Sequence, residues 1–497
     1  MMTVAAPAIL STQTEVPASL RRLLAGLRRV VPSAYLVGGA VRDLASGREP
    51  VDLDVVTTDN PARAADAIAR WLRGHAFALD EDRGHHRVVM EEGMVSVIDV
   101  SSADDVRDDL ARRDYTIDAM AAPILEDGSV GQIIDPFGGL ADLEVGVIRM
   151  VDPANLSDDP LRLLRAARIA TERELRVEDG TALTIRSLAP ALDGVAGERK
   201  RDEITRIFAS PRAYEGVRLM DSLGLLDVIL PELAPARGVD QPPQHHYYDV
   251  FEHSVRAVAA ADEMLHDIPT RTDREWMGPA FREGMAPFEI DAYMAEAIGG
   301  QTRLSLTKFA TLLHDVAKPE TKSVEADGRV RFLGHPEQGA DKARAICNRL
   351  RFGSRETAFV CLLVEEHLRP TMLAEAGKLP SRRALYRFFR DLGDAAPACL
   401  VLSLADAAAA TGPRLQPERW RGHVAYSAYV LAAEAQLNMP KEKAERLISG
   451  RDLIEELGMA PGPELGRVLD VVDEAIAIGE ISSREAALEM ARGLTHE

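Results

Sequence analysis

"AYLVGGAVRDLASGREPVDLDVVT", Ala34 to Thr57, sets two short apolar runs around a glycine pair and a charged segment. "AYLVG" and "VDLDVV" read as strands, and "AVRDLA" as the start of a helix. Asp52 and Asp54 lie two apart in the second run, so they project from one face of one strand. Carboxylates so placed can share divalent cations, and Mg²⁺ suits hard oxygen ligands near phosphates. Two such ions, roughly 3.5–4 Å apart, activate an attacking hydroxyl and hold a leaving pyrophosphate. Gly38 and Gly39 let backbone N–H groups approach a triphosphate, the helix start offers its positive end, and Arg42 reaches a phosphate oxygen.

The rest of the chain bounds this reading. At 497 residues it exceeds one compact core, so several domains are expected. No apolar run looks long enough to span a bilayer, and "MMTVAAPAILSTQTEVPASLRR" lacks the pattern of a signal peptide. Three scattered cysteines, without CxxC, fit a reducing cytoplasm and argue against thiolate-bound zinc. A net charge of −20 opposes non-specific affinity for nucleic acid, so an RNA partner requires a local basic patch.

From Tyr35 to about Ile148, "HRVVM", "MVSVIDV" and "GQIID" read as further strands, and "NPARAADAIARWL" as a helix capped by Asn60. Before them, Leu20, Leu23, Leu24 and Leu27 mark one helix. After "VDPANLSDDP" the pattern turns helical, and a proline-rich stretch, "LAPARGVDQPPQ", reads as a hinge. Beyond about 411, "KEKAERLI" and "PELGRVLDVVDEAIAIG" read as helices.

The combination of GG, VRD and DLD resembles the nucleotidyltransferase head of class II tRNA CCA-adding enzymes and bacterial poly(A) polymerases. That resemblance implies an α/β head, a small mixed sheet with flanking helices, followed by all-α neck, HD and tail regions. It places metal ligands at Asp52 and Asp54, with Asp99 in "VSVIDV" as a third candidate, and nucleotide contacts at Gly38, Gly39 and Arg42. "LARRDYTIDAMA" is similar to the family's RRDFTINA segment and carries the nucleotide role onto Arg112, Arg113 and Asp114. Asp118 stands where the family has Asn, and a carboxylate cannot donate as an amide does. "IIDPFGGLADL" resembles DPFGGxxDL, a turn between subdomains, and "AGERKRDEITRIF" the family's ER…E helix.

"SDDPLRLLRAARIA" resembles the E-D-x-x-R helix, so Asp159 and Arg162 are implied to meet the Watson–Crick edges of C and A. A carboxylate accepts from an exocyclic amine and a guanidinium donates to ring N or carbonyl O. Arg165 and Arg168 continue the stripe toward phosphates. Family members adding full CCA commonly carry a longer loop after the strand of Asp99, and some CC-only members a short one. Here only "VSSADDVRDDLA" intervenes.

His253, the pair His314–Asp315, His335, His367 and Asp406 follow in the order H…HD…H…H…D. Imidazole and carboxylate ligands suit a transition metal such as Mn, Ni, Fe or Zn. Phe309, Leu312, Leu313 and Val316 read as the apolar stripe of the helix bearing the HD pair, closed by Lys318 and Pro319. The order resembles the HD phosphohydrolase superfamily, where metal-bound water attacks a phosphoester.

The expected organisation is a tail and helix (1–30), head (31–157), neck for base and RNA (158–240), HD domain (241–410) and helical C-terminal region (411–497). The implied activity is a cytoplasmic tRNA nucleotidyltransferase adding C and A from CTP and ATP, without a membrane partner. The alternatives are a poly(A) polymerase, a CC-only enzyme, or a metal-dependent phosphohydrolase whose head only binds nucleotide. Oligomeric state is unreadable.

Overall fold

Six strands build the sheet that holds the opening motif: β1 (Tyr35–Val37), β2 (Leu53–Thr57), β3 (His75–Asp80), β4 (His85–Val89), β5 (Val97–Ser102) and β6 (Ala121–Pro123). Their order is β3-β4-β5-β2-β1-β6, with β2 and β5 parallel and the other neighbours antiparallel. The computed structural model describes residues 16–81, 84–90, 95–266, 274–373, 379–437 and 446–495. The expected tail therefore lies outside the described residues up to position 15.

Alternation along the strands decides which face receives the chemistry. Leu36, Leu53, Val55, Val88, Ile98 and Val100 share a buried core with Leu20, Leu24 and Leu27 of the helix Ala18–Val30 and with Ala65 and Ile68 of the helix Pro61–Leu72. Each fully buried leucine contributes roughly 1.5–3 kcal/mol, which pins this register. The intervening positions, Asp54, Arg87 and Asp99, must face the other side. There Val37, Val56, Val106 and Leu110 form a second, smaller core. Asn60 caps its helix as expected, accepting from the Arg63 N–H at 3.0 Å.

Several readings need correction. "GQIID" is no strand; only Ile134 bridges, to Ala121. β3 and β6 went unread. Most of "KEKAERLI" lies outside the described residues, and Arg446–Ile448 at its end are irregular. One helical stretch, Arg382–Arg414, is long and apolar enough to cross a bilayer, contrary to expectation, but 72% of its most apolar window is buried inside the protein.

The chain divides into two units, Met1–Val195 with Leu219–Ile229, and Ala196–Arg218 with Leu230–Glu497. In the second unit the helices Val250–Leu265, Arg303–Leu313, Ser354–Glu366 and Ala396–Thr411 pack together. The helix of the HD pair stops at Leu313; His314 and Asp315 occupy the turn after it, and Lys318 opens a new short helix. Its buried set is not a stripe, because Ser305, Thr307 and Lys308 are buried as well.

Candidate functional site

Gly38 begins the helix Gly39–Ala45 with φ +68, a conformation that glycine adopts freely. A Cβ there would lie 2.3 Å from Arg113 Nη1 and 2.8 Å from Asp54 Oδ2, so the position also demands the missing side chain. The glycine pair thus lets the strand carboxylate and an arginine of the "RRD" segment converge. Arg113 Nη1 is 3.9 Å from Asp54 Oδ2, and its Nε donates to Asp109 at 2.8 Å. Desolvation pushes the Asp54 carboxyl up to about 6; Arg113 opposes this and neighbouring Asp99 adds to it.

Asp99 pairs in register with Asp54 on the parallel strand. It is held by Arg87 of β4 through two hydrogen bonds, 2.7 and 2.8 Å. Asp99 therefore stands beside Asp54 but is shared with Arg87, unlike Asp54. Asp52 precedes β2 and is exposed, not inside the strand as the alternation implied. The pair Asp52 and Asp54, of which one is under-neutralised, suits a hard divalent cation.

A cleft of about 690 Å³ lies next to Arg113, whose Nη1 is 3.9 Å from Asp54; Asp52 and Asp54 themselves are not among its lining residues. Arg112, Arg113, Asp114, Asp159, Arg162 and Arg165 line it, together with Asp109 and Asn155. Asp159 does not share a helix face with Arg162; it precedes the helix Leu161–Arg173, where its backbone carbonyl accepts the Arg162 N–H at 3.0 Å. Arg162 Nη1 donates to the carbonyls of Arg112 and Asn155, and Arg165 Nε to Asp114 Oδ2 at 2.7 Å.

Four expected nucleotide contacts, Gly38, Gly39, Arg42 and Arg168, are absent from the cleft lining. Arg42 is buried and bonded to Asp43 and Asp118. Arg168 is buried against Glu172. Each three-residue step falls about 60° short of a helical turn, so two steps carry Arg168 round to the interior. Asp109 and Asn155 were missed. Asp109 was signalled by its i,i+4 spacing to Arg113, whereas Asn155 had no signal: its amide ties the helix Pro153–Asp158 to the carbonyls of Ala111 and Arg113.

In the second unit all six expected ligands meet. His253 Nε2 lies 3.0 Å from Asp406 Oδ1 and 3.3 Å from Asp315 Oδ2, and His314 Nε2 lies 3.2 Å from that same oxygen. His335 and His367 approach the other oxygen of Asp315, at 3.4 and 3.8 Å. The ring orientations have a local cause. His314, His335 and His367 each place Nδ1 2.7–2.8 Å from the carbonyl three residues earlier, of Thr311, Phe332 and Val364. A carbonyl only accepts, so each Nδ1 carries a proton and each Nε2 is the nitrogen turned toward a metal, that of His314 on losing its second proton.

Neither Asp315 oxygen has a well-formed hydrogen bond, and the carboxylate is fully buried. Burial opposes its charge, yet His314 and Lys318 hold it well below the usual range. Burial likewise opposes charge on His314, but Asp315 and Asp406 push it up to about 10. Such a centre is built for positive charge, and its N,O donor set fits a divalent ion. Lys318, read only as a helix stop, lies 2.7 Å from Asp315 Oδ2 and donates to Gln241 Oε1 at 2.7 Å.

The family comparisons follow chain order: the Poly A polymerase head domain matches residues 34–149, the RNA and SrmB- binding site of polymerase A 174–237, the HD domain 250–411, and tRNA nucleotidyltransferase domain 2 429–491. Such heads and HD domains generally use divalent metals. The A-adding tRNA nucleotidyltransferase of Deinococcus radiodurans is 37% identical, over 92% of this chain and 94% of its own. The CC-adding tRNA nucleotidyltransferase of Thermus thermophilus is 34% identical, over 91% and 92%. Among solved structures, the Thermotoga maritima CCA-adding enzyme complexed with tRNA shares the fold at TM-score 0.55 and 20% identity, covering 97% of each chain. Related structures hold ATP or CTP. With its matched modules in order and relatives aligned almost end to end, this chain belongs to the tRNA nucleotidyltransferase family.

Proposed function

We propose that the chain completes the 3′ end of tRNA, adding C and A nucleotides from CTP and ATP. The observation that carries this is the cleft lined by Arg112, Arg113, Arg165, Asp159 and Arg162, with Arg113 also reaching to 3.9 Å from Asp54. The terminal ribose 3′-hydroxyl attacks the α-phosphate in line, and pyrophosphate leaves. Asp52 and Asp54 hold Mg²⁺, which when bound makes the hydroxyl a better nucleophile and screens the departing charge. Arg113, anchored by Asp109, and Arg112 neutralise phosphate. Asp159 accepts from the exocyclic amine that C and A share, and Arg162 donates to the ring edge. On the Watson–Crick edge, uracil offers no amine and guanine sets its amine beside a donating N1–H, so neither matches this pair.

The HD centre supports a second activity, phosphoester hydrolysis with a transition metal such as Mn, Ni, Fe or Zn. The supporting observation is Asp315, whose two oxygens face separate histidine groups.

A tRNA lacking its 3′ end, given CTP alone, ATP alone or both, tests the reading. Addition of both C and A at the tRNA end supports it, whereas addition of C alone or of A alone identifies a CC-adding or an A-adding enzyme instead. A homopolymer of A identifies a poly(A) polymerase. Phosphate release without extension favours a hydrolase whose head only binds nucleotide.

A further inference from the structure

Three of the four histidines at the HD centre owe their orientation to a backbone carbonyl, and His253 does not. Its side chain is 0% exposed, and its Nδ1 is buried without a hydrogen-bond partner. A histidine that turns Nε2 to a metal carries its proton on Nδ1, and a buried N–H needs an acceptor. The group that touches this ring is a second imidazole. His246 stands edge-on to His253, with centroids 5.0 Å apart and planes at 86°. Its own Nδ1 is likewise buried and without a partner. His246 belongs to neither candidate ligand group, whose ligand atoms lie within 4.8 Å of one another. Its distance from His253 is nevertheless the one at which ring nitrogens meet in this centre. His253 and His314, with centroids 5.1 Å apart, bring their Nε2 atoms to 3.1 Å; His335 and His367, at 5.2 Å, bring theirs to 3.4 Å. The backbone of His246 is fixed from two sides. Its N–H donates to the Pro242 carbonyl at 3.0 Å, and the N–H of Tyr247 to the Ala410 carbonyl at 2.9 Å. Ala410 lies about one turn beyond Asp406 on the helix Ala396–Thr411, so the segment is tied to an element that carries another ligand of the same centre.

We propose that His246 is a positioning residue for the metal centre: a nitrogen of its neutral ring accepts the Nδ1–H of His253, serving that ligand as carbonyls serve His314, His335 and His367. The assignment rests on the reading of the HD centre as a metal site. A neutral imidazole has one donor and one acceptor nitrogen, so the pair is chemically complementary. Rotation of the His246 ring about Cβ–Cγ, a soft torsion, aligns the acceptor. The bond then fixes the tautomer and plane of His253 and raises the basicity of its Nε2.

The test is calorimetric titration of Ni²⁺ into the metal-free full-length protein at saturating Mg²⁺. It compares wild type, His246→Phe, His246→Gln, His253→Ala and the double variant His246→Phe with His253→Ala. His246→Phe keeps a ring against His253 without an acceptor, and its Kd for Ni²⁺ is expected to rise about 10- to 100-fold. His246→Gln supplies a carbonyl oxygen and should return Kd to within about 5-fold of wild type. In the His253→Ala background, His246→Phe should change Kd by less than about 2-fold, because it acts through that ligand. A role in packing alone predicts the reverse, with Phe tolerated and Gln harmful. Wild-type affinity in His246→Phe overturns the proposal. So does an equal loss in Phe and Gln, or a Phe loss that persists in full without His253. Should His246→Phe fail to fold, judged by circular dichroism, His246→Gln decides alone: near-wild-type Kd supports the assignment, and a larger loss or an unfolded protein overturns it. A wild type that binds Ni²⁺ no more tightly than His314→Ala defeats the metal reading of the HD centre. His246 variants that match a Ni²⁺-binding wild type defeat this assignment only.

Discussion

Asp54 carries a charge that its surroundings resist. Desolvation raises its carboxyl to about 6, so from the ordinary aspartate value up to about 6 the unfolded chain gives up its proton before the folded one does. Metal-free stability therefore falls as pH rises through that window and stays low above it. Asp54→Asn removes the cost. Because the side chain is 43% exposed, solvent screens much of it. In EDTA at pH 8 the variant should melt about 1–3 °C higher than wild type, with the difference vanishing near pH 4. Differential scanning calorimetry checks both limits, and added Mg²⁺ should raise the melting temperature of wild type only. A residue tuned for a ligand rather than for the fold behaves this way.

At the scale of elements, the second unit is pinned by charge inside its core. Lys308, fully buried in the helix Arg303–Leu313, lies 2.6 Å from Asp262 Oδ1 and donates to the Ser210 carbonyl at 2.8 Å. Asp262 Oδ2 in turn accepts the Tyr214 N–H. Burial pushes the lysine pKa down and the aspartate up to about 6, so each leans on the other for its charge. Lys308→Met should destabilise this unit by about 3–5 kcal/mol, read as a lower urea midpoint, because Asp262 is left without its cation. The double change Lys308→Met with Asp262→Leu should cost much less.

Elements also show where sequence reading succeeds and stops. β1 and β2 were legible because both are short apolar runs bounded by a glycine pair and a charged segment. β3 was not, since Phe77 and Leu79 are exposed and no alternation marks a buried face. β6 is three small residues, and "GQIID" has strand composition without a ladder. The same holds for sites. Carboxylates and histidines announced themselves by residue type, but which arginines turn inward depended on packing: Arg42 and Arg168 look identical in sequence to Arg113 and Arg165.

For the whole molecule, the two candidate centres lie in separate units, and the account gives them separate chemistry. His314→Ala and Asp315→Ala should strip bound transition metal, read by plasma mass spectrometry, and abolish phosphohydrolase action. Extension of tRNA by the same proteins should remain at least about half of wild type, since no ligand is shared. Loss of extension in a folded, metal-free variant would show that the two activities are coupled.

The central claim is that Asp54 of β2, with Asp52 before it, supports nucleotidyl transfer onto tRNA. Single-turnover extension of a tRNA lacking its 3′ end, with CTP and ATP at saturating Mg²⁺, measures it directly on wild type and Asp54→Ala. The account predicts extension by wild type and a rate lower by about a thousandfold or more in the folded variant. Extension by Asp54→Ala at the wild-type rate would contradict it.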